Sequence, residues 1–164
     1  MKLTFSQEEY LKAIYIIKNT EKRVRVTDIA KKLGYSKPSV NRALNNLAEE
    51  GLINYQAYKE IGLTKKGESL AKDIIKRNDI LKLFLIEILE IDENTAEFEA
   101  TSMKHAVSEN TITKLEKYVN KILDLGDLNC GYNKDSEQCR TCVKISAKRR
   151  LKDLGQSKEG GKNG

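Results

Sequence analysis

Three cysteines crowd into one short segment in the order Cys130-x8-Cys139-x2-Cys142. Two residues between Cys139 and Cys142 let both thiolates reach one centre from a tight turn, and Gly131 and Asn133 leave the preceding loop free to close around it. Three thiolates with one more ligand, His105 or a group from a second subunit, would complete a zinc site. The same three with an open or borrowed fourth position suit an iron–sulfur cluster, which is the preferred expectation. Three reduced thiols, or a redox disulfide across the C-x2-C pair, are the plain alternative. An odd, crowded set of cysteines is no secreted disulfide framework, and the start Met1-Lys2-Leu3-Thr4-Phe5 lacks the hydrophobic stretch of a signal peptide. The expected location is the cytoplasm.

A second group of residues, all but Pro38 bearing polar side chains, is suited to hydrogen-bonding rather than to ligating. Ser36, Lys37, Pro38, Ser39, Asn41, Arg42, Asn45 and Asn46 share one segment whose apolar positions, Val40, Leu44 and Leu47, recur at helical spacing. The outward face therefore carries groups that bond base edges and phosphates, which suits a DNA major groove. Arg42 is expected to reach base edges with Ser36, Pro38, Ser39 and Asn41 beside it, while Lys37 and Asn45 hold phosphates.

The elements that must position this face are legible around it. Ile29, Ala30 and Leu33 mark a short helix that Gly34 breaks; Ser36 then caps a second helix, with Pro38 in the first turn where its missing donor does no harm. After Gly51, Leu52-Ile53-Asn54-Tyr55 and Ile61-Gly62-Leu63 flank a polar hairpin loop, so the segment reads as a winged helix-turn-helix. Residues 8–19 place Leu11, Ile14 and Tyr15 on one stripe, a helix to pack against the reading pair. Thr64 caps a long helix running to about Ile91, and two more helices are expected over 95–107 and 108–123. The run from Ile80 to Ile91 is apolar on more than one face, which points to a partner subunit and dimer contacts through Ile80, Phe84, Leu85 and Ile88.

The expected fold is mainly α with a small β wing. It divides into a winged helix-turn-helix domain over 1–66, a helical dimerisation and regulatory module over 67–126, a cysteine-bearing loop over 127–143 and a basic, disordered tail over 144–164. Charge follows the same division. Residues 1–66 hold thirteen Lys and Arg against seven Asp and Glu, residues 67–143 ten against fifteen, and residues 144–164 seven against two. A basic head on an acidic middle is the footprint of a nucleic-acid binder. No apolar run reaches the length of a bilayer crossing, and with a single histidine, no phosphate loop and no nucleophile constellation an enzyme is not expected.

In the order and spacing of its landmarks the chain resembles the diphtheria-toxin-repressor-like family of iron- and manganese-dependent transcriptional repressors. The landmarks are Glu9 to Tyr15, Asp28-Ile29-Ala30, Ser36 to Val40, Gly51-Leu52-Ile53, Leu63 to Gly67, Phe84-Leu85 and His105 to Ser108. The resemblance implies a homodimer whose winged heads bind double-stranded DNA at a palindromic operator, and a second module that holds a regulatory metal. It places Glu9 and His105 at ligand positions, but the other ligand positions carry Lys12, Asn78, Lys82, Thr101 and Lys104. Two ligands hold a divalent ion poorly and three lysines repel it, so the usual manganese or iron switch is not expected. The expectation is a transcriptional regulator, a repressor, whose operator affinity answers to a metal, iron–sulfur or redox event in the second module, the cysteine segment having replaced the older sensor. Two alternatives stand beside it. One is a protein-docking adaptor with a zinc or iron-sensing cysteine clip; the other is a constitutive repressor in which Lys12, Lys82 and Lys104 stand in for the missing cation near residual carboxylates.

Overall fold

Thr4 opens the first helix with a reciprocal cap: its hydroxyl accepts from the Gln7 N–H at 3.3 Å, and the Gln7 side chain accepts from the Thr4 N–H at 2.9 Å. The helix, α1 (Phe5–Thr20), therefore starts earlier than its apolar stripe, because the cap and not the stripe sets the first turn. The computed structural model describes residues 3–21, 23–56 and 59–123, with the backbone of 132–133 and 138–139.

Gly34, in the left-handed region at φ 71°, ends α2 (Val26–Leu33) and turns the chain into α3 (Lys37–Glu49), which begins at the Ser36 cap. Val40, Leu44 and Leu47 are fully buried against α1 and α2, so the orientation of α3 is fixed by one apolar stripe. Two short strands, β1 (Ile53–Asn54) and β2 (Gly62–Leu63), pair antiparallel with Ile53 opposite Leu63, and the N–H of Ile61 donates to the Val24 carbonyl. This is the wing.

Thr64 caps α4 (Lys65–Leu83) by accepting from the Gly67 N–H at 3.0 Å, while its own hydroxyl donates to the Gly51 carbonyl at 2.8 Å. A Cβ on Gly67 would lie 1.9 Å from the Leu52 carbonyl oxygen, so only glycine lets the helix start this close to the wing. The sequence pattern runs on to Ile91 as one helix, but the chain widens into a π-helical turn over Phe84–Ile88, with the Leu89 N–H donating to the Phe84 carbonyl. The turn keeps Leu85 inside and leaves Leu89 exposed. Glu90, at φ 57°, reverses the chain into α5 (Glu93–Ala106), which Asp92 caps at the Thr95 N–H. Ser108 then caps α6 (Glu109–Leu123) at the Thr111 N–H.

Two separate cores share α4. Ala71, Ile74 and Ile75 belong to the core of the winged head, and Ile80, Leu81 and Leu83 to a second core with Leu85, Ala96, Ala100, Ile112 and Val119. At roughly 1.5–3 kcal/mol per fully buried side chain, each core is enough to fix the helix that crosses it. The expectation that Ile80 and Leu85 face a partner is corrected here: both are buried within the chain, because α5 and α6 fold back over them. The large apolar side chains left outward in the second module are Leu89, Phe98, Tyr118 and Ile122. No helix among the described residues is long and apolar enough to cross a membrane.

The cysteine segment, read as a loop, includes a two-residue ladder, β3 (Tyr132–Asn133) with β4 (Gln138–Cys139), in which Tyr132 pairs with Cys139. Cys130, Cys142 and the tail over 144–164 lie outside the described residues.

Candidate functional site

Every residue singled out on this face is exposed: Ser36, Lys37, Pro38, Ser39, Asn41, Arg42, Asn45 and Asn46. They form the face opposite the buried Val40–Leu44–Leu47 stripe, so packing the stripe presents the face. Ser36 also shares a hydrogen bond with Ser39 through their hydroxyls at 2.9 Å, which fixes the first turn. Past β1, Tyr55 reaches across to α3 and donates its hydroxyl to the Asn41 side-chain oxygen at 2.8 Å. The wing and the helix are thereby held as one surface. Between them lies an open cavity of about 700 Å³ whose polar lining includes Arg23, Arg25, Lys37, Asn41, Tyr55 and Lys59, with Glu60 as its one carboxylate. Three cations beyond the helix thus border it, Arg23 and Arg25 from the segment entering α2 and Lys59 from the wing. Arg23, Arg25 and Lys59 were not singled out in the sequence although the basic count of the first 66 residues contains them, and Tyr55 carries no such signal.

A second cluster joins the two modules. Lys104, in the last turn of α5, has a side chain only 2% exposed, and its ammonium lies 3.1 Å from Glu9 Oε1 and 3.5 Å from Glu8 Oε2 on α1. The same ammonium sits 5.7 Å from the centroid of the Phe5 ring, and the His105 ring packs on Phe5 at 5.1 Å. His105 Nε2 is buried without a hydrogen bond, 3.5 Å from Glu8 Oε2. One turn back along α5 from Lys104, Thr101 donates to the Asn78 side-chain oxygen at 3.4 Å, and a turn further back Glu97 meets Lys82 of α4 at 2.7 Å. Burial pushes the Glu97 carboxyl up, but the hydrogen bond and charge of Lys82, the charge of Lys12 and a hydrogen bond from Asn78 outweigh it and hold Glu97 below the usual carboxylate range. Glu8, Glu97 and Phe5 are partners the sequence reading did not name.

Two family profiles cover most of the chain. Residues 2–61 match the iron-dependent repressor N-terminal DNA-binding domain, and residues 64–124 match the iron-dependent repressor metal-binding and dimerisation domain. An uncharacterised HTH-type transcriptional regulator of Methanocaldococcus jannaschii is 36% identical over 120 residues, 73% of this chain and 96% of that protein. The chain belongs to the iron-dependent repressor family. The HTH-type transcriptional regulator MntR of Lysinibacillus sphaericus is 30% identical over 71% of this chain and 83% of its own length. Among solved structures, the manganese regulator SloR superposes with a TM-score of 0.62 at 29% identity over 70% of this chain. The chain spans about half of that regulator, 53% of its length.

For a member of the iron-dependent repressor family, the donor set in the second module is depleted. Among the described residues, no three His, Cys, Asp or Glu side chains gather closely enough to hold a metal ion. Glu9 and His105 both line the cluster, yet the position between α1 and α5 is taken by the Lys104 ammonium. A divalent ion on Glu9 would lie about 4 Å from that ammonium, a repulsion of roughly 8 kcal/mol at an effective dielectric constant of about 20. Among the described residues, those of this cluster do not fit a divalent cation.

Proposed function

We propose that this chain is a homodimeric, non-enzymatic transcriptional repressor of the cytoplasm that grips a palindromic operator with α3 and the wing of each protomer. The observation that carries the reading is the exposed polar face of α3, tied to the wing through Tyr55 and Asn41 and bordered by Arg23, Arg25 and Lys59. Arg42 reads base edges in the major groove, with Ser36, Pro38, Ser39 and Asn41 alongside; Lys37 and Asn45 hold phosphates. Family membership also weighs against the adaptor alternative, since both named relatives are HTH-type transcriptional regulators.

Binding of labelled duplexes selected from a random-sequence pool tests it. Arg42→Ala should cost about 1–3 kcal/mol on the selected site and relax its sequence preference, and Lys37→Ala should weaken all duplexes alike and lower the salt slope by about one. Failure to enrich any duplex, with no salt-sensitive binding, would sink the proposal.

The cofactor reading of Cys130, Cys139 and Cys142 rests on their spacing. Anaerobic purification followed by metal and acid-labile sulfide analysis separates its outcomes. Iron with sulfide and visible absorption identifies a cluster, zinc in colourless protein identifies a clip, and metal-free protein removes the site.

A further inference from the structure

We propose that Lys104 is a built-in cation: its ammonium takes the place of a bound divalent ion between α1 and α5, so that operator binding needs no metal. The inference rests on the DNA-binding reading above and adds how the head is held for it. α4 is common to both cores, and the Lys104 cluster is a second tie between them, made by side chains 95 residues apart in sequence. A buried ammonium is tolerated only with partners, and those of Lys104 all lie on α1: the carboxylates of Glu8 and Glu9 and the face of the Phe5 ring. Swinging the head away would strand the ammonium on α5 and expose two repelling carboxylates on α1. Docking of the head and pairing of the charge are therefore one event. Because the cation is covalent, it cannot be lost to a chelator.

The same replacement recurs beside it. Lys82 meets Glu97 at 2.7 Å and approaches Glu93 at 3.6 Å, so these two carboxylates of α5 also have an ammonium where a ligated metal would otherwise be needed. His105 lies at the edge of the cluster: its ring packs on Phe5 at a tilt of 51°, and its Nε2 lies 3.5 Å from Glu8 Oε2.

The test uses the full chain and fluorescein-labelled duplexes selected from a random pool, once in Mn²⁺ and once in EDTA. The unaltered protein should bind equally in both. Lys104→Gln should lose affinity by about tenfold or more in EDTA, within the usual range of coupling between sites, and Lys104→Arg should retain it. Lys104→Glu should lose binding in EDTA and regain it in Mn²⁺, since it returns a carboxylate to a cluster that already holds Glu8, Glu9 and His105. Mn²⁺-dependent binding by the unaltered chain would overturn the proposal. Hydrogen exchange without DNA keeps this outcome separate from failure of the DNA-binding reading. Lys104→Gln should speed exchange of the amides in the first turns of α1, and unchanged exchange there would refute the tether whether or not any duplex is bound.

Discussion

Tyr55 donates its hydroxyl to the side-chain oxygen of Asn41 at 2.8 Å, and this bond is where the wing meets α3. It occupies one lone pair of an exposed amide that would otherwise swing freely, and uses the oxygen rather than the NH2 of Asn41. An oriented amide loses less entropy on meeting a base edge. Tyr55→Phe should therefore weaken binding to a selected operator by about 0.5–1.5 kcal/mol, the worth of one ordinary hydrogen bond, and blur preference at a single base position per half-site. Titrations against single-base variants of the duplex would show it. Uniform weakening across all variants would mean that the bond serves the fold and not the readout.

Gly67 sets the join between head and long helix. A methyl group there must push the Leu52 carbonyl aside, and that carbonyl accepts from the Thr64 N–H that begins the α4 cap. Gly67→Ala should destabilise the chain by about 1–3 kcal/mol despite alanine's better helix propensity. Urea denaturation measures this, and a neutral or stabilising result would show that the wing can yield.

Glu68 takes the ammonium groups of Lys18, from α1, at 3.0 Å and of Lys72 at 3.1 Å, and their hydrogen bonds and charges hold its carboxyl below the ordinary value of 4.5. A depressed carboxyl stabilises the fold above its unfolded pKa, and that stability is lost as pH falls through the folded value. The protein should thus exceed Glu68→Gln in stability at neutral pH by about 0.2–1 kcal/mol, as for other solvent-screened pairs. Below the folded pKa the two should melt alike. A gap that persists in strong acid would assign the effect to packing.

The caps and stripes were readable because they are local. Ser36, Thr64 and Gly34 announce helix ends through short-range chemistry, and Val40, Leu44 and Leu47 announce a buried face through period alone. The π turn was not readable. Phe84-Leu85-Ile86-Glu87-Ile88 is apolar nearly all round, so its pattern does not distinguish a straight helix from a widened one, and the choice is made by α5 and α6 packing back on it. The Lys104 cluster was half readable. The sequence shows lysines where ligands are expected, but the Glu8, Glu9 and Phe5 partners lie some 95 residues away and meet Lys104 only through the fold. Tyr55 stayed hidden for the same reason, since its role depends on the wing folding against α3.

The surface proposed for dimerisation is where sequence and structure part most usefully. Phe84 is partly buried against the second core, whereas Phe98 on α5 is 75% exposed and Tyr118 and Ile122 on α6 are about half exposed. A second copy covering Phe98 would relieve the largest exposed aromatic surface in the described residues, and in a twofold dimer each substitution acts in both protomers. Phe98→Asp should leave the melting of the isolated chain nearly unchanged and weaken dimerisation by roughly 2–4 kcal/mol. Phe84→Asp should instead lower stability itself, because it places a carboxylate against the apolar second core on which Phe84 packs. Sedimentation equilibrium and thermal melts of the two variants separate these effects. A Phe98→Asp protein that sediments as the unaltered dimer would move the interface elsewhere on the second module.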